Sequence, residues 1–498
     1  MGSPIGTQEG NLAFISSFIS AVSVFLFVGS AAAQSCGDAN VLCVPQEYST
    51  IQAAADASVA GQTVLVSDGS YTGFQITRSG NAGSPITFKA AGSGAVISSP
   101  IPGSSSAHCV GDGICFKGNG SLQGVHDIVL DGFKIQNVYR CVSSYDASPE
   151  TNSPTEWPHQ RLTLRNNECS GSAHEGFYMS EFNGSLIEAN VIHDTGTNGL
   201  DRGHCMYLAN AGSDDTTIRG NLVYNCGVAG AAAMHFNGDD SVGGDGYQTG
   251  LLIERNVIHD TLQNGLNMDG VGDSTIQNNL VYNVARYAID AYAIDASAGP
   301  RNLKVVNNTF IGSSSAKPAL IFTEDQGGHV LFNNIRVQDG TDTGDPTGAY
   351  DLIATHAQAT PWFVSIAGGD YHLKSGVAPI DSGWSSQFGL AAPSVDLEQG
   401  SRPEGTGYDM GAYEYGSVAV SPPPTPSLTP PPGATPTPVP SSNADPSTKI
   451  TGGSASTDTV LSAGCGAISE SGKPADVTWL LLSIAGLLIA VRKKRQIL

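Results

Sequence analysis

The chain has 498 residues and 61 glycines, carries a net charge of −22, and has a charged fraction of 14%. This balance favours an elongated, turn-rich architecture over a helical one. The acidic excess argues against nucleic acid as a partner, because phosphate binding needs clustered Lys and Arg.

Residues 1–33 predict a secretory signal peptide. The apolar run LAFISSFISAVSVFLFVG precedes small residues with an Ala-x-Ala pattern at Ala31 to Ala33, which is typical of an export signal. Since no Lys or Arg precedes the run, the alternatives are an uncleaved anchor or a mis-assigned start codon.

Eight cysteines beyond this point form four neighbouring pairs. They are Cys36 with Cys43, Cys109 with Cys115, Cys141 with Cys169, and Cys205 with Cys226. Their spacings match no zinc pattern, and in an exported chain they predict disulfides, although sequence alone leaves the connectivity open.

The stretch from Glu47 to Ala91 contains one helical pattern, IQAAADAS, followed by strands. It resembles the first segment of secreted β-helix proteins that act on carbohydrates, such as alginate lyases and chondroitinase-B-like enzymes. The resemblance implies that the helix caps the open end of a solenoid.

An Asn beside alternating apolar residues recurs along the middle of the chain. It occurs at Asn137, Asn167, Asn190, Asn221, Asn256, Asn279, Asn308 and Asn334. Segments such as LIERNVIHD and TIQNNLVYN are too short for helices and alternate with a period of two, which predicts strand, turn, strand. The repeat length suits one coil of a solenoid.

Strands this short cannot bury a face alone, but coils stacked about 4.8 Å apart give each strand a partner above and below. The Asn of each turn would then bond to the Asn of the next coil and form a ladder. We therefore predict an all-β fold, a right-handed parallel β-helix solenoid built from one chain.

Each coil also contributes a second strand, in GFYMSE, CMYLAN, AMHFNG, GLNMDG and YAIDAY. Their apolar residues should point inward, and their polar partners should form two outward columns. The first column is Tyr178, Tyr207, His235, Asn267 and Asp290, and the second contains Ser180, Asn237 and Asp269. Insertions at 210–215, 236–249 and the region ending at Arg301 predict a binding groove along this face.

A uronate lyase or epimerase needs a group that neutralises the carboxylate, a base for the proton alpha to it, and an acid. Tyr207 and His235 would lie in adjacent coils and serve as acid and base in either order. Arg202, Asn237 or Asn267 would contact the carboxylate, with Tyr178, Asp269 and Asp290 as further sugar contacts. The alternative is that these are surface residues of a non-catalytic glycan-binding or structural solenoid.

Acidic residues suggest two further chemistries. Asp239, Asp240 and Asp245 could supply oxygen ligands to Ca²⁺, which would bridge this acidic protein to an acidic glycan; the alternative is a solvated loop. Asp269 and Asp290 could instead form a carboxylate pair for glycoside hydrolysis. No Arg-x-Lys or Gly-His-Gly element of the polygalacturonase type accompanies them.

The motif NVIHDT occurs twice and places His193 and His259 outward, two coils apart. Their rings should be roughly 10 Å from each other, too far to share a zinc ion with bonds of about 2 Å. The intervening coil has Tyr224 in the same slot, so we interpret this histidine as part of the scaffold.

The C-terminal part resembles two kinds of bacterial segment. Asp396 to Tyr415 (DLEQGSRPEGTGYDMGAYEY) is similar to the closing motif of β-helix proteins that carry interchangeable C-terminal anchors. A Pro/Ser/Thr-rich linker follows, and then GCG at Cys465, DVTW at Asp476 to Trp479, an apolar run and the basic cluster Arg492 to Arg495.

This tail resembles sorting signals of the JDVT-CTERM type. The resemblance implies a temporary membrane anchor that is recognised by a sorting protease and modified at Cys465. A permanent single-pass anchor is the alternative, although the apolar run is short for a transmembrane helix of about 20 residues.

The sequence thus predicts an exported, surface-anchored monomer whose partner is a polysaccharide. A uronate lyase or epimerase is the first hypothesis, a glycan-binding or structural module the second, and a hydrolase with paired Asp the third. The predicted regions are 1–33 signal peptide, 34–125 cap and first coils, 126–340 β-helix repeats, 341–416 closing segment, 417–460 linker and 461–498 membrane anchor.

Overall fold

The computed structural model describes residues 35–419, apart from 104–108, 118–123, 146–158, 181, 200–202, 210–212, 228–230, 241–244, 314–315, 342–343 and 347–349. The described residues belong to one compact unit. No helix in this described part is long and apolar enough to span a membrane. The predicted signal peptide, the linker beyond residue 419, Cys465 and the sorting segment lie outside the described residues.

Parallel strands stack in three columns, and successive coils add one strand to each column. The first stack contains Val41–Val44, Thr63–Val66, Ile86–Ala90, His126–Asp131, His159–Arg165, Phe182–Asn183, Leu186–Glu188, Thr217–Arg219, Leu252–Glu254, Thr275–Gln277, Lys304–Val306 and the first half of Val330–Val337. The second stack contains Gly69–Thr72, Ala95–Ser99, Lys134–Gln136, Glu168–Ser170, Val191–His193, Leu222–Tyr224, Val257–Thr261, Leu280–Val284, Thr309–Ile311, the second half of Val330–Val337 and Tyr350–Ala354.

The third stack contains Phe74–Ile76, Ile114–Lys117, Val142–Tyr145, Phe177–Ser180, Met206–Ala209, Met234–Asn237, Leu266–Asp269, Ile289–Tyr292 and Leu320–Phe322. Three short pairs lie outside the stacks: Gln248–Thr249 with Val271–Gly272, Phe363–Ser365 with Asp370–Leu373, and Ser386–Gln387 with Leu390–Ala391. The helices are Ile51–Ala57 and His356–Ala359, with 3₁₀ turns at Thr360–Trp362 and Ile366–Gly368. This architecture is a parallel β-helix, as the period-two repeats predict.

The interior is filled by the inward side of the alternating strands. Met206 and Leu208 are fully buried, and so are Met234 and Phe236 in the next coil. Burying a side chain of this size contributes about 1.5–3 kcal/mol. Because neighbouring coils keep the same register, each apolar residue packs on its counterpart above and below.

The predicted Asn ladder is confirmed. The stacked residues are, in order, Asn167, Asn190, Asn221, Asn256, Asn279, Asn308 and Asn334. From Asn190 onward, each side-chain oxygen accepts bonds from the backbone N–H and the amide of the preceding Asn. The Asp351 carboxylate accepts the equivalent bonds from Asn334, at 3.1 and 2.8 Å. The ladder therefore satisfies buried polar groups at the turn between the first two stacks.

The prediction for Asn137 is wrong. Phe133 occupies the ladder position in that coil, and its backbone N–H donates to Asn167 Oδ1 at 3.0 Å. Asn137 comes after the strand Lys134–Gln136 and has a φ of 56°. It serves as a left-handed corner residue, a conformation that Asn adopts more readily than most residues.

All four predicted disulfides are present, joining Cys36 to Cys43, Cys109 to Cys115, Cys141 to Cys169, and Cys205 to Cys226. Cys141–Cys169 and Cys205–Cys226 each close a loop of one coil, with sequence separations of 28 and 21. A cross-link between neighbouring parts of a coil restricts the unfolded chain and so stabilises the solenoid.

The helix Ile51–Ala57 forms where the sequence predicts a helical segment. The hydroxyl of Thr50 accepts the backbone N–H of Ala53 at 3.1 Å and so provides the N-cap. Ile51, Ala54 and Ala55 lie on one face of the helix and belong to the main core.

The C-terminal described segment packs on the outside of the last coils. Arg402, which is fully buried, donates to Glu414 Oε2 at 3.0 Å and to the carbonyl oxygen of Gly411 at 2.8 Å. The N–H of Gly411 in turn donates to the carbonyl oxygen of Asn333 at 2.7 Å. The motif that resembles a closing segment is therefore bonded directly to a corner of the solenoid.

Candidate functional site

The outer face of the third stack carries the predicted columns of polar side chains. The register places Tyr178, Tyr207, His235, Asn267 and Asp290 next to one another in the first column, and Ser180, Ala209, Asn237, Asp269 and Tyr292 in the second. The strand alternation thus brings every candidate residue predicted on these strands to one face.

Tyr207 and His235 are direct neighbours, with ring centroids 4.9 Å apart. The amide of Asn237 donates to the Tyr207 hydroxyl oxygen at 2.8 Å, and Asn237 is only 4% exposed. Because that amide is buried against the phenol, Asn237 orients the Tyr207 side chain.

His235 is a neutral imidazole at physiological pH. Burial disfavours the charged ring, and the adjacent His204 adds repulsion, so the pKa of His235 lies well below its ordinary value. The Nε2 atom of His235 lies 3.4 Å from the hydroxyl of Tyr292. A neutral histidine beside a hydroxyl can accept a proton.

Tyr292 keeps its proton at physiological pH. Burial raises the pKa of its hydroxyl, and the negative charges of Asp269 and Asp290 raise it further. Tyr207 in one coil and Tyr292 in another therefore lie on either side of His235.

A cleft of about 460 Å³ adjoins this group, and Tyr292 forms part of its wall. Gln263, Asn264, Asn267, Arg286 and Asp290 also line it. Its volume is in the range of small-ligand sites in proteins.

The cleft contains both signs of charge. Arg286 Nη1 donates to Gln263 Oε1 at 3.3 Å. Burial raises the pKa of Asp290 although Arg286, Asn264 and Lys317 oppose the change. The amide of Asn264 bridges Asn267 Oδ1 at 2.7 Å and Asp290 Oδ2 at 3.0 Å.

Two loops form a wall along one edge of the face. The loop after the strand Met234–Asn237 reaches over the next coil to the loop after Ile289–Tyr292, where Ser297 N donates to the carbonyl oxygen of Gly246 at 3.1 Å. The coil between these two loops passes beneath them at Gly270. This residue has a φ of +65°, and an added Cβ would lie only 2.2 Å from Ala296 Cβ, so the loop packs directly on the glycine. The insertions thus border the polar face, as predicted.

Asp269 faces this wall and is covered by it. Its carboxylate accepts the backbone N–H groups of Ile294 at 2.9 Å and Asp295 at 3.1 Å, and the residue is 2% exposed. Asp269 was predicted to contact substrate, but its position makes it an anchor for the loop.

The three acidic residues predicted to bind Ca²⁺ have other contacts. The backbone of Asp239 forms a β-bridge with Ala296, and the backbone N–H of Asp240 donates to the carbonyl oxygen of Asp295 at 3.1 Å. The side chain of Asp245 accepts the N–H of Tyr247 at 3.0 Å through Oδ1. Among the residues that the structure describes, no group of three or more His, Cys, Asp or Glu is placed to hold a metal ion. Calcium binding stays a prediction.

Tyr178 lies beside a buried ion pair. Arg140 Nε donates to Glu175 Oε2 at 2.7 Å, and the guanidinium carbon is 4.3 Å from the centre of the Tyr178 ring. Burial opposes the charge of Glu175, but bonds from His174 and Arg140 lower its pKa to about 2. The predicted cation Arg202 lies outside the described residues.

The repeated histidines belong to an aromatic stack on the second stack of strands. His193 and His259 are separated by Tyr224, with centroid distances of 4.7 and 5.1 Å and nearly parallel rings. Tyr282 continues the stack at 4.8 Å from His259. The two histidines are thus one intervening coil apart, as the spacing of NVIHDT predicts, and their packing agrees with a place in the scaffold.

Comparison with protein families identifies the fold. Residues 65–337 match the family model described as the right-handed beta helix region. The chain belongs to this family. No curated protein matches this sequence.

Solved structures similar to this β-helix include three polysaccharide enzymes. Pectate lyase Pel9A is 15% identical, with 73% of this chain and 90% of that chain covered and a TM-score of 0.51. The alginate lyase from Paenibacillus sp. FPU-7 is 17% identical, with coverages of 61% and 94% and a TM-score of 0.41. The A-module of the Azotobacter vinelandii mannuronan C-5 epimerase AlgE4 is 15% identical, with coverages of 61% and 90% and a TM-score of 0.39.

Sequence reasoning missed three residues of the site in this β-helix. Tyr292 could have been found, because it lies two residues after Asp290 and the alternation sends both outward. His204 and Asn264 precede their strands, in turns where no periodic pattern exists. Their role depends on contacts with the neighbouring coil.

Proposed function

We propose that this β-helix acts on a uronate-containing polysaccharide bound along the outer face of the third stack, as a lyase or an epimerase. The observation that carries the proposal is the neutral His235, with Tyr207 beside it and the Tyr292 hydroxyl 3.4 Å from its Nε2, next to a cleft containing Arg286. These groups supply a base, an acid and a cation.

In the proposed reaction, His235 Nε2 removes the proton on the carbon alpha to the uronate carboxylate. Arg286 neutralises the carboxylate and so stabilises the negative charge that develops as the C–H bond breaks. In a lyase the bond to the glycosidic oxygen then breaks, and a tyrosine hydroxyl gives that oxygen its proton. In an epimerase a tyrosine returns a proton to the opposite face of the same carbon.

The position of Asp269 favours this chemistry over hydrolysis by paired aspartates. A retaining or inverting hydrolase needs two carboxyl groups facing the sugar, whereas Asp269 is buried and accepts two backbone N–H groups. The fold shared with pectate lyase Pel9A also supports a polysaccharide substrate.

The experiment uses the purified full-length protein with alginate, pectate and glycosaminoglycans, with and without Ca²⁺. Ultraviolet absorbance follows the unsaturated uronates that a lyase forms. We expect Tyr207→Phe and His235→Ala each to lower the rate by 10²–10⁴-fold, the usual contribution of a general acid or base.

His259→Ala is the matched control, because His259 faces outward on the second stack rather than the third. We expect it to retain activity. Full activity in both Tyr207→Phe and His235→Ala would eliminate the proposed site. If the protein is retained on a glycan column but alters no sugar, the result supports a non-catalytic glycan-binding function instead of an enzymatic one.

We further propose that the protein is exported and held at the bacterial surface by its C-terminal segment, as a monomer. The four disulfides support export, since such bonds persist in oxidising compartments. We also propose that the helix Ile51–Ala57 caps the solenoid, that Ca²⁺ assists glycan binding, and that a sorting protease recognises the region of Cys465. Mass spectrometry of the membrane-bound and released protein tests the processing at both termini.

A further inference from the structure

Three polar contacts run in a line across the candidate site. His204 Nδ1 lies 3.1 Å from the carbonyl oxygen of Ala232, and His204 Nε2 lies 3.3 Å from His235 Nδ1. His235 Nε2 lies 3.4 Å from the hydroxyl of Tyr292. Each ring nitrogen of the two histidines therefore has one partner within this line.

For a neutral His204, the carbonyl end fixes the direction of the whole line. A carbonyl oxygen can only accept, so His204 must carry its proton on Nδ1 to bond with Ala232. In a neutral His204 the other nitrogen, Nε2, is then an acceptor. It takes a hydrogen bond from His235 Nδ1, which must be protonated.

With its proton on Nδ1, neutral His235 has an unprotonated Nε2. That nitrogen accepts from Tyr292, or from a substrate that displaces the tyrosine hydroxyl. The hydrogen bond of one imidazole nitrogen thus decides which form the other nitrogen takes, as in other sites where a second residue orients a histidine.

His204 is held firmly in this position. Its ring stacks on Tyr207 with a centroid distance of 5.4 Å and an interplanar angle of 13°. The next residue, Cys205, is fixed by its disulfide to Cys226. At Gly203 an added Cβ would meet Gly196 Cα at 2.3 Å, so this turn packs closely against the preceding one.

We infer that His204 is a positioning residue that holds His235 in the tautomer with the proton on Nδ1 and leaves Nε2 as the proton acceptor of the site. The inference rests on the proposed function, in which His235 is the base. It adds that the base is oriented by a second histidine, which is itself oriented by a backbone carbonyl.

The first test measures the tautomer in the absence of any glycan. Nitrogen NMR of the full-length protein, labelled with ¹⁵N-histidine and assigned with His235→Gln, distinguishes protonated from unprotonated ring nitrogens. We expect Nδ1 protonated and Nε2 unprotonated in His235. A proton on Nε2 in the wild type would overturn the inference.

Two variants separate orientation from packing. His204→Phe keeps an aromatic ring against Tyr207 but has no acceptor, so His235 should lose its single tautomer. His204→Gln retains an oxygen that can accept from His235 Nδ1, so it should restore the tautomer. An unchanged His235 spectrum in a folded His204→Phe variant would contradict the inference, and if that variant does not fold, failure of His204→Gln to preserve the tautomer would do so.

Kinetics provide the second test. With a substrate identified as above, His204→Phe should lower kcat on the order of 10- to 100-fold, as losses of orienting partners do, and leave KM unchanged, because the inferred role of His204 is exerted on His235 rather than on the sugar. His204→Gln should recover most of kcat. A wild-type protein without activity would refute the proposed function, while the NMR result would still decide the role of His204.

Discussion

The Asn ladder gives a quantitative prediction for Asn256→Ala. Asn256 lies in the middle of the ladder and is fully buried. Its Oδ1 accepts from the backbone N–H of Asn221 at 3.0 Å and from the Asn221 amide at 2.9 Å. Its own amide donates to the Ile218 carbonyl oxygen at 2.9 Å and to Asn279 Oδ1 at 3.0 Å.

Truncation to Ala removes all four bonds. The N–H of Asn221 and the carbonyl oxygen of Ile218 each lose a partner. The Asn221 amide keeps its bonds to the carbonyl oxygens of Ile187 and Arg219, and Asn279 Oδ1 keeps the N–H of residue 256. A buried polar group that loses its partner costs roughly 1–3 kcal/mol. For these two groups together, we expect the free energy of unfolding to fall by about 2–6 kcal/mol.

Urea unfolding followed by circular dichroism measures the change. Gln277→Ala is the control: its half-buried amide makes one bond, to Glu254 at 2.9 Å, on the strand just before the ladder, and its loss should cost about 1 kcal/mol or less. If Asn256→Ala destabilises the protein no more than Gln277→Ala, the ladder does not stabilise the coils as we argue.

Three further predictions concern stability and the wall of the cleft. Replacing Cys141 and Cys169 together by Ala should lower the free energy of unfolding by about 3–4 kcal/mol, since the bridge closes a loop with a sequence separation of 28; an unchanged urea midpoint would refute this. Burial opposes the charge of His193, but bonds to Asp194 and Glu168 raise its pKa to about 9. Because the folded pKa exceeds the unfolded one, this stabilisation is complete below about pH 6.5 and is lost as the pH rises through about 9. His193→Phe, which keeps the stack, should have a smaller loss of stability between these pH values, and equal losses in urea titrations would contradict the shift. Asp269→Leu should release the loop at 293–297, and limited proteolysis should cut it faster than in the wild type; equal cleavage rates would show that Asp269 does not anchor it.

The period of two was sufficient to predict the strands and the outward columns. Met206 and Leu208 fill the interior, and Tyr207 points outward between them, because alternation leaves no other arrangement for a strand with one buried face. The Asn ladder followed from the same argument. Asn137 was misplaced because Asn also suits left-handed corners, so the residue type alone does not identify the turn.

The contacts between coils could not be predicted from the sequence. His204 and His235 are 31 residues apart, and Tyr292 is 57 residues beyond His235. Their meeting depends on the length of each coil and on the turns, whose residues follow no period. Asp269 was assigned to the open face correctly, but its burial results from a loop more than 20 residues later in the chain.

Solvent deuterium exchange tests the central claim most directly, because both a lyase and an epimerase must break the C–H bond alpha to the carboxylate. Uronate polysaccharides are incubated with the protein in D₂O, and NMR and mass spectrometry follow deuterium at that carbon together with unsaturated products. We predict deuterium incorporation or unsaturated uronates with the wild type and neither with His235→Ala. Exchange that persists in His235→Ala, or its absence with every uronate glycan despite binding, would contradict the account.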